Sequence, residues 1–408
     1  MTSPIPALRA VDAVPVEIGD EEMVCLSDPE GYAGGDVVLS IGAFYLAAGM
    51  DGVRDLAGVL AFFRERTGAE APEEQAVSLI EHLEQACFLD SPAFRARRDG
   101  IDREYREAHT RPAWFAGRAY PEEPEALRAY VDDCFTREGG PGPVDPSAMG
   151  SGTPVRCIVS PHIDMDRGGH SYAHAYRRLH AGGRPDRVII FGVAHAPVET
   201  PFVLTRKDFA TPLGVLRTDR EAVERLAEAA GGDPFASEAA HRTEHSVEFQ
   251  AVMLARLFGD GVRIVPVLCG HLGRGADGDG TGETVGRVAA ACRELAADPS
   301  LRTVVVAGAD LSHVGRRFGD PVEITDRITE AVARADRAAL KLLEAGEAAA
   351  FYAETMKNGN PRHVCGMGSI YAALESVRGL CGSVRLLHYD HAEDPAGGIV
   401  TFAALAAE

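Results

Sequence analysis

Residues 155–170 read V-R-C-I-V-S-P-H-I-D-M-D-R-G-G-H, and the fold turns on how this stretch is parsed. Val155 to Val159 is an apolar run of strand length, too short for a helix. Ser160-Pro161 ends it because proline has no N–H to extend a ladder. His162 therefore stands at the C-terminal mouth of a strand, with Asp164 and Asp166 in the loop beyond it. Gly168-Gly169 then opens a stretch, His170 to His180, that reads as a helix. In open α/β sheets ligands bind in the crevice beyond the carboxyl ends of the strands. A histidine flanked by carboxylates there is a candidate site, and Asp164 a candidate substrate contact. The structural alternative is a turn whose aspartates cap the next helix.

Working outward toward the C-terminus, strand and helix patterns alternate, the signature of an α/β sheet with helices packed on it. Arg187 to Gly192 is a buried strand that ends at Val193-Ala194-His195, so a second histidine occupies the same topological place as the first. Thr303 to Ala307 is the most β-branched strand and runs into Asp310-Leu311-Ser312-His313. Phe202 to Thr205 and Val215 to Thr218 read as a two-strand excursion, Asp219 caps a helix to Ala230, and 270–282 is glycine-rich loop. His245 falls in the first turn of a helix for which Thr243 is the expected cap, with Glu248 one turn on along the same face. Cys365 sits just before a helix over 369–377, where the backbone dipole favours thiolate. Val384 to His388 and Gly398 to Phe402 supply two closing strands.

Strand ends thus offer His162, His195 and Asp310 with His313, and helix starts offer His245 and Cys365. Imidazoles together with a thiolate bind zinc, iron or copper, the sulfur setting such a group apart from a magnesium or calcium site. Taken singly, each has a plainer reading: a histidine hydrogen-bonded in a turn, a cysteine packed and inert.

Bulk properties narrow the function. The chain has 408 residues and a formal net charge of −20, a balance that repels nucleic acid and anionic membrane surfaces. No apolar run approaches the ~20 residues that span a bilayer, and the N-terminus lacks the basic-then-apolar order of a signal peptide, so a cytoplasmic protein is expected. The eight cysteines contain no C-x-x-C pair, against a disulfide framework, a zinc knuckle or an iron–sulfur cluster.

Residues 1–98 read as a separate small α+β unit. Strand-like pieces at Val14 to Glu17, Met23 to Leu26 and Val37 to Leu39 precede three helical stretches, one capped by Ser40 and one starting at Ala71-Pro72. That outline is a winged helix. It holds seven Arg, no Lys and seventeen Asp plus Glu, a net of −10 that argues against phosphate binding. With its Asp51-Gly52 turn and terminal Cys87-Phe88-Leu89-Asp90 it resembles the PqqD-like domain, which implies a peptide or protein partner taken up by strand addition. Residues 99–111 are dense in charge and read as a linker or solvated helix, and 112–408 form the larger domain.

Across that larger domain the chain resembles the Memo family, and within it the AmmeMemoRadiSam system protein B group. The residues that carry the resemblance are Phe115-Ala116-Gly117 with Tyr120, Ser160-Pro161-His162, His174-Ala175-Tyr176, Gly192-Val193-Ala194-His195, Glu244-His245-Ser246-Val247-Glu248, Asp310-Leu311-Ser312-His313 and Val364-Cys365-Gly366. The resemblance implies a fold like the class III extradiol dioxygenases, with His162, His195 and Cys365 as ligands of iron or copper, zinc being the alternative. It also implies a radical SAM protein and a third system component as partners. Around those ligands, His245, Asp310 and His313 are candidate catalytic groups, and Asp164 and Glu248 candidate substrate contacts. The chain departs from the family where Ile163-Asp164-Met165 follows His162 and Ala196 follows His195, positions that bear on the substrate-facing wall. Three functions compete: a metal-dependent redox enzyme, a zinc hydrolase, and a non-enzymatic peptide- and metal-binding module.

Overall fold

The structure, a computed structural model, describes residues 3–19, 21–272 and 281–408. It divides into two compact units, Met1–Glu107 and Ala108–Glu408.

In the first unit, β1 (Asp12–Ile18), β2 (Glu21–Ser27) and β3 (Val37–Ser40) form an antiparallel sheet in that order. Four helices follow: α1 (Ile41–Ala48), α2 (Leu56–Thr67), α3 (Glu73–Gln85) and α4 (Pro92–Glu107). Local chemistry sets their starts. Ser40 accepts from the Ala43 N–H, Asp55 accepts from the Gly58 N–H, and Pro72 precedes α3. Leu26, Leu39, Val59, Ile80 and Leu83 close a small core. The unit is α+β. The charged stretch 99–111 takes the helical alternative over most of its length. Residues 99–107 continue α4, whose Tyr105 is buried while its charges face out, and the boundary lies at 107/108.

The second unit opens with β4 (Thr110–Arg111) and α5 (Pro124–Thr136). The alternation then runs β5 (Cys157–Ser160), α6 (Met165–Ala181), β6 (Arg187–Val193), β7 (Phe202–Leu204), β8 (Asp208–Thr211), β9 (Gly214–Leu216), α7 (Arg220–Ala230), α8 (His245–Phe258) and β10 (Arg263–Cys269). It ends α9 (Thr281–Ala297), β11 (Thr303–Gly308), β12 (His313–Gly315), α10 (Asp326–Glu344), α11 (Ala348–Met356), α12 (Met367–Ser376), β13 (Val384–Asp394) and β14 (Gly398–Ala407). The main sheet has the order β12-β14-β5-β11-β6-β10-β7, with β13 paired to β14. Its four central strands, β5, β11, β6 and β10, are mutually parallel, and the flanking ones are antiparallel.

Side chains alternate along these strands as a period of two requires. Val159, Ile189, Phe191, Val267 and Val305 pack with Val223 of α7, Val285 of α9 and Ile370 of α12. Ile158, Val188, Ile190, Ile264 and Val306 pack with Val131 of α5, Tyr176 of α6 and Val252 of α8. The sheet is therefore covered on both faces, as parallel strands demand.

Two sequence readings change here. The hairpin around Thr211 to Gly214 is built from β8 and β9, its turn held by the Thr211 hydroxyl, which donates to the Gly214 carbonyl at 2.9 Å and accepts the Leu213 N–H at 3.1 Å, and 202–204 instead pairs with β10. Helix α6 begins at Met165, before the glycine pair. Of the glycine-rich stretch 270–282, residues 273–280 lie outside the described residues. No helix among the described residues is long and apolar enough to cross a membrane.

Candidate metal centre

Because the central strands are parallel, their carboxyl ends share one edge, and β5, β6 and β11 deliver His162, His195 and Asp310 there. Strand β11 lies between β5 and β6, so its loop holds the other two together. The His162 Nδ1–H donates to the Gly308 carbonyl at 2.9 Å, and the His162 backbone N–H donates to Asp310 Oδ1 at 2.9 Å. The second imidazole is held in the same way. His195 Nδ1–H donates to the Glu244 carboxylate at 3.0 Å, which also accepts the His195 backbone N–H at 3.1 Å. Each ring thus has Nδ1 engaged and Nε2 left over, the tautomer a metal ligand needs.

Cys365 comes from a laced loop. Asn358, Asn360 and His363 adopt left-handed φ of 59°, 57° and 48°, a conformation that costs energy and persists only where surroundings impose it. Here Asn360 bonds both the N–H and the carbonyl of Val364, and the His313 N–H donates to the Arg362 carbonyl at 2.8 Å. Gly366 is required because a Cβ there would collide with the Asp310 carbonyl and Ala309. The outcome is a Cys365 Sγ 3.3 Å from His162 Nε2, with one ligand atom each from His162, His195 and Cys365 all within 4.8 Å of one another. Two freed imidazole nitrogens and a sulfur at this spacing fit a soft or borderline transition metal.

Charge is arranged to match. Burial alone would push the Cys365 thiol up, but the charges of His162 and His313 and a hydrogen bond from His162 outweigh it and bring it to about 5. Burial would lower His162, yet Asp310 and Cys365 raise it to about 9. Glu244 shows the same contest: burial opposes its charge, and His195 and His245 hold it well below the usual carboxylate range. His195 is raised by Glu244 and Cys365 against burial; its side chain is 42% exposed, so the solvent at the mouth tempers that rise. His245 is the exception, since burial wins and lowers it to about 3.

The fold brings together most, not all, of the expected residues. The His245 ring stacks on His195 with centroids 4.8 Å apart and meets His162 edge-on at 5.1 Å. Asp310 Oδ2 lies 3.6 Å from His162 Nε2. His313 is near enough for its charge to act on Cys365, while its own Nδ1–H donates to the Leu311 carbonyl at 3.2 Å. Asp164 is a cap: it accepts the Arg167 N–H at 3.0 Å and pairs with the Arg167 guanidinium at 2.6 Å. Glu248 is fully buried and its carboxylate is taken up by the scaffold. It pairs with Arg111 at 2.5 Å, both side chains 0% exposed, and accepts from the Tyr120 hydroxyl and the Trp114 and Phe115 N–H groups. The cap of α8 is Glu244, not Thr243.

Glu244 and Arg111 carried no role in the sequence reading. The signal for Glu244 was its place immediately before the helix, where a carboxylate caps. Nothing local marked Arg111, which donates to the carbonyls of His241 at 2.6 Å and Glu244 at 2.9 Å, both far along the chain.

The Memo-like protein family matches residues 111–405, so the first unit lies outside the matched region. A MEMO1 family protein of Aquifex aeolicus is 28% identical over 317 residues, covering 78% of this chain and 77% of its own. One of Methanopyrus kandleri is 30% identical over 299 residues, covering 71% of this chain and 96% of its own. One of Methanothermobacter thermautotrophicus is 34% identical over 219 residues, covering 53% of this chain and 73% of its own.

Proposed function

The chain belongs to the Memo-like family, and from that premise we propose that it is a metal-dependent redox enzyme whose iron or copper is held by His162, His195 and Cys365. The observation that carries the reading is that both imidazoles have Nδ1 committed to an acceptor, leaving Nε2 for the ion beside the Cys365 sulfur. Bound there, such an ion supplies one-electron chemistry toward oxygen or substrate, and thiolate donation favours this over the Lewis acidity of zinc.

The chain's own residues then have defined tasks. Glu244 orients His195, and Asp310 orients the His162 loop. His245, held neutral by burial, stands beside the ligands to relay a proton without keeping one, and His313 stabilises negative charge on Cys365. His195 at the mouth leaves access for a peptide or small molecule.

The same reading takes the first unit as a PqqD-like winged-helix module that captures a peptide or protein partner. Its support is a three-stranded sheet whose edge strand β3 exposes Val38 at 42%. A radical SAM protein and the third system component are the partners it works with, in the cytoplasm.

Metal analysis of protein purified without added metal, paired with oxygen uptake, tests the reading. Iron or copper near one per chain and oxygen-dependent change at Cys365 are expected. Zinc as the resident metal, a Cys365 inert to oxidants and His313-dependent cleavage of an ester or amide would put a hydrolase in its place.

A further inference from the structure

We propose that His170, His388 and Asp390 form a second metal site, separate from the first, that takes a divalent transition metal of the zinc class. One ligand atom from each lies within 4.8 Å of the others, and His170 Nε2 is 2.9 Å from Asp390 Oδ2.

The chain is shaped to make this cluster. His170 and His174 are one turn apart on α6 and face the same way, and His388 and Asp390 alternate onto one face of β13. The register of β13 on β14 slips there, from Leu386 opposite Leu405 to His388 opposite Ala404, so Leu387 is an extra residue. A bulge of this kind re-aims the side chains that follow it, and those are His388 and Asp390.

The surroundings fix the rings as metal sites require. The hydroxyl of Ser171, itself 0% exposed, is bonded to His388 Nδ1 at 2.7 Å, which leaves His388 Nε2 for an ion. The His174 ring stacks on His388 at 4.6 Å with an interplanar angle of 10°, and is tethered by its Nε2–H donating to the Gly139 carbonyl at 3.0 Å. His170 meets Phe402 edge-on at 5.9 Å. Two imidazoles and a carboxylate suit zinc and its neighbours, and three ligands match an exchangeable site, not a closed structural one. Asp390, with its side chain 41% exposed, gives an ion a way in.

Titration of the metal-free full-length chain with Co2+ tests this, because only an ion on Cys365 gives a thiolate-to-cobalt charge-transfer band. His388→Ala, and Asp390→Asn as the variant least able to disturb folding, should remove one equivalent of Co2+ and leave the thiolate band unchanged. Cys365→Ser should remove the band and keep the other equivalent. Ser171→Ala should weaken that equivalent by about 10-fold, the usual effect of losing a ring-orienting partner. Unchanged stoichiometry and affinity in His388→Ala and Asp390→Asn would overturn the site and reduce the cluster to a hydrogen-bonded His–Asp pair.

Discussion

Glu244 and Glu248 stand four residues apart at the start of α8, and replacing each by glutamine should separate the site from the scaffold. Glu244 uses both oxygens. Oε1 accepts the Ser246 N–H at 2.9 Å and faces His245 Nδ1 at 3.3 Å, while Oε2 accepts the His195 N–H at 3.1 Å and Nδ1–H at 3.0 Å. An amide can accept on one side only, so either the cap or the His195 anchor is lost. A hydrogen bond to a charged group contributes about 1.5–3 kcal/mol net. Loss of an orienting partner lowers metal affinity by about 10–100-fold, equivalent to about 1.4–2.7 kcal/mol.

In the His388→Ala background, where only the His162–His195–Cys365 site is read, Glu244→Gln should therefore weaken binding of Zn2+, used as a redox-silent probe, by about 10–100-fold in competition with a chromophoric chelator. Glu248→Gln should leave that affinity unchanged in the folded protein. Its cost falls on stability, about 3–5 kcal/mol, because the Arg111 charge remains buried without its partner. Native Zn2+ affinity in Glu244→Gln, or an equal loss of affinity in Glu248→Gln, would refute the assignment of Glu244 to the site and Glu248 to the scaffold.

In metal-free protein, Cys365 should react with iodoacetamide as a thiolate, its rate flat above pH 6 and falling as pH drops through about 5, since a lowered pKa keeps the charged form until then. His162→Ala should move that fall upward, and Cys365→Ser identifies the reacting thiol; a titration near the ordinary thiol value in the native chain would contradict the pairing. Arg111→Met should destabilise the second unit by about 3–5 kcal/mol, followed in urea by the fluorescence of Trp114, the single tryptophan, whose backbone N–H donates to the Glu248 carboxylate. Adding Glu248→Gln should recover part of that loss, and additive losses would show that the two groups are not coupled. The first unit, with a net of −10 over residues 1–98, should show no saturable binding to duplex DNA at physiological salt; binding there would remove the case for a peptide or protein partner.

What the sequence made legible were features decided within a few residues. Strand runs such as Thr303 to Ala307, the Ser40 and Asp219 caps and the arrival of His162, His195 and Asp310 at strand ends depend on local pattern, and the fold has them where they were expected. Helix starts shifted where two caps competed, as with Glu244 over Thr243, because a carboxylate that also meets His195 gains more by taking the cap position than a hydroxyl would.

The roles of the carboxylates on α8 were not local at all. Glu248 faces a loop 133 residues earlier in the chain and is consumed by Arg111 and Tyr120, whereas Glu244 faces a strand end 49 residues earlier and orients His195. Glu244 caps α8 and Glu248 lies in its first turn, only four residues on along the chain. Only the parallel order of β5, β11 and β6 decides which reaches the edge where the histidines converge. A residue's chemistry on this edge is thus set by the strand order, and strand order is the one thing that pairwise spacing along the chain does not encode. The glutamine pair on α8 tests that dependence directly, since two identical substitutions one turn apart are expected to act on different properties of the protein.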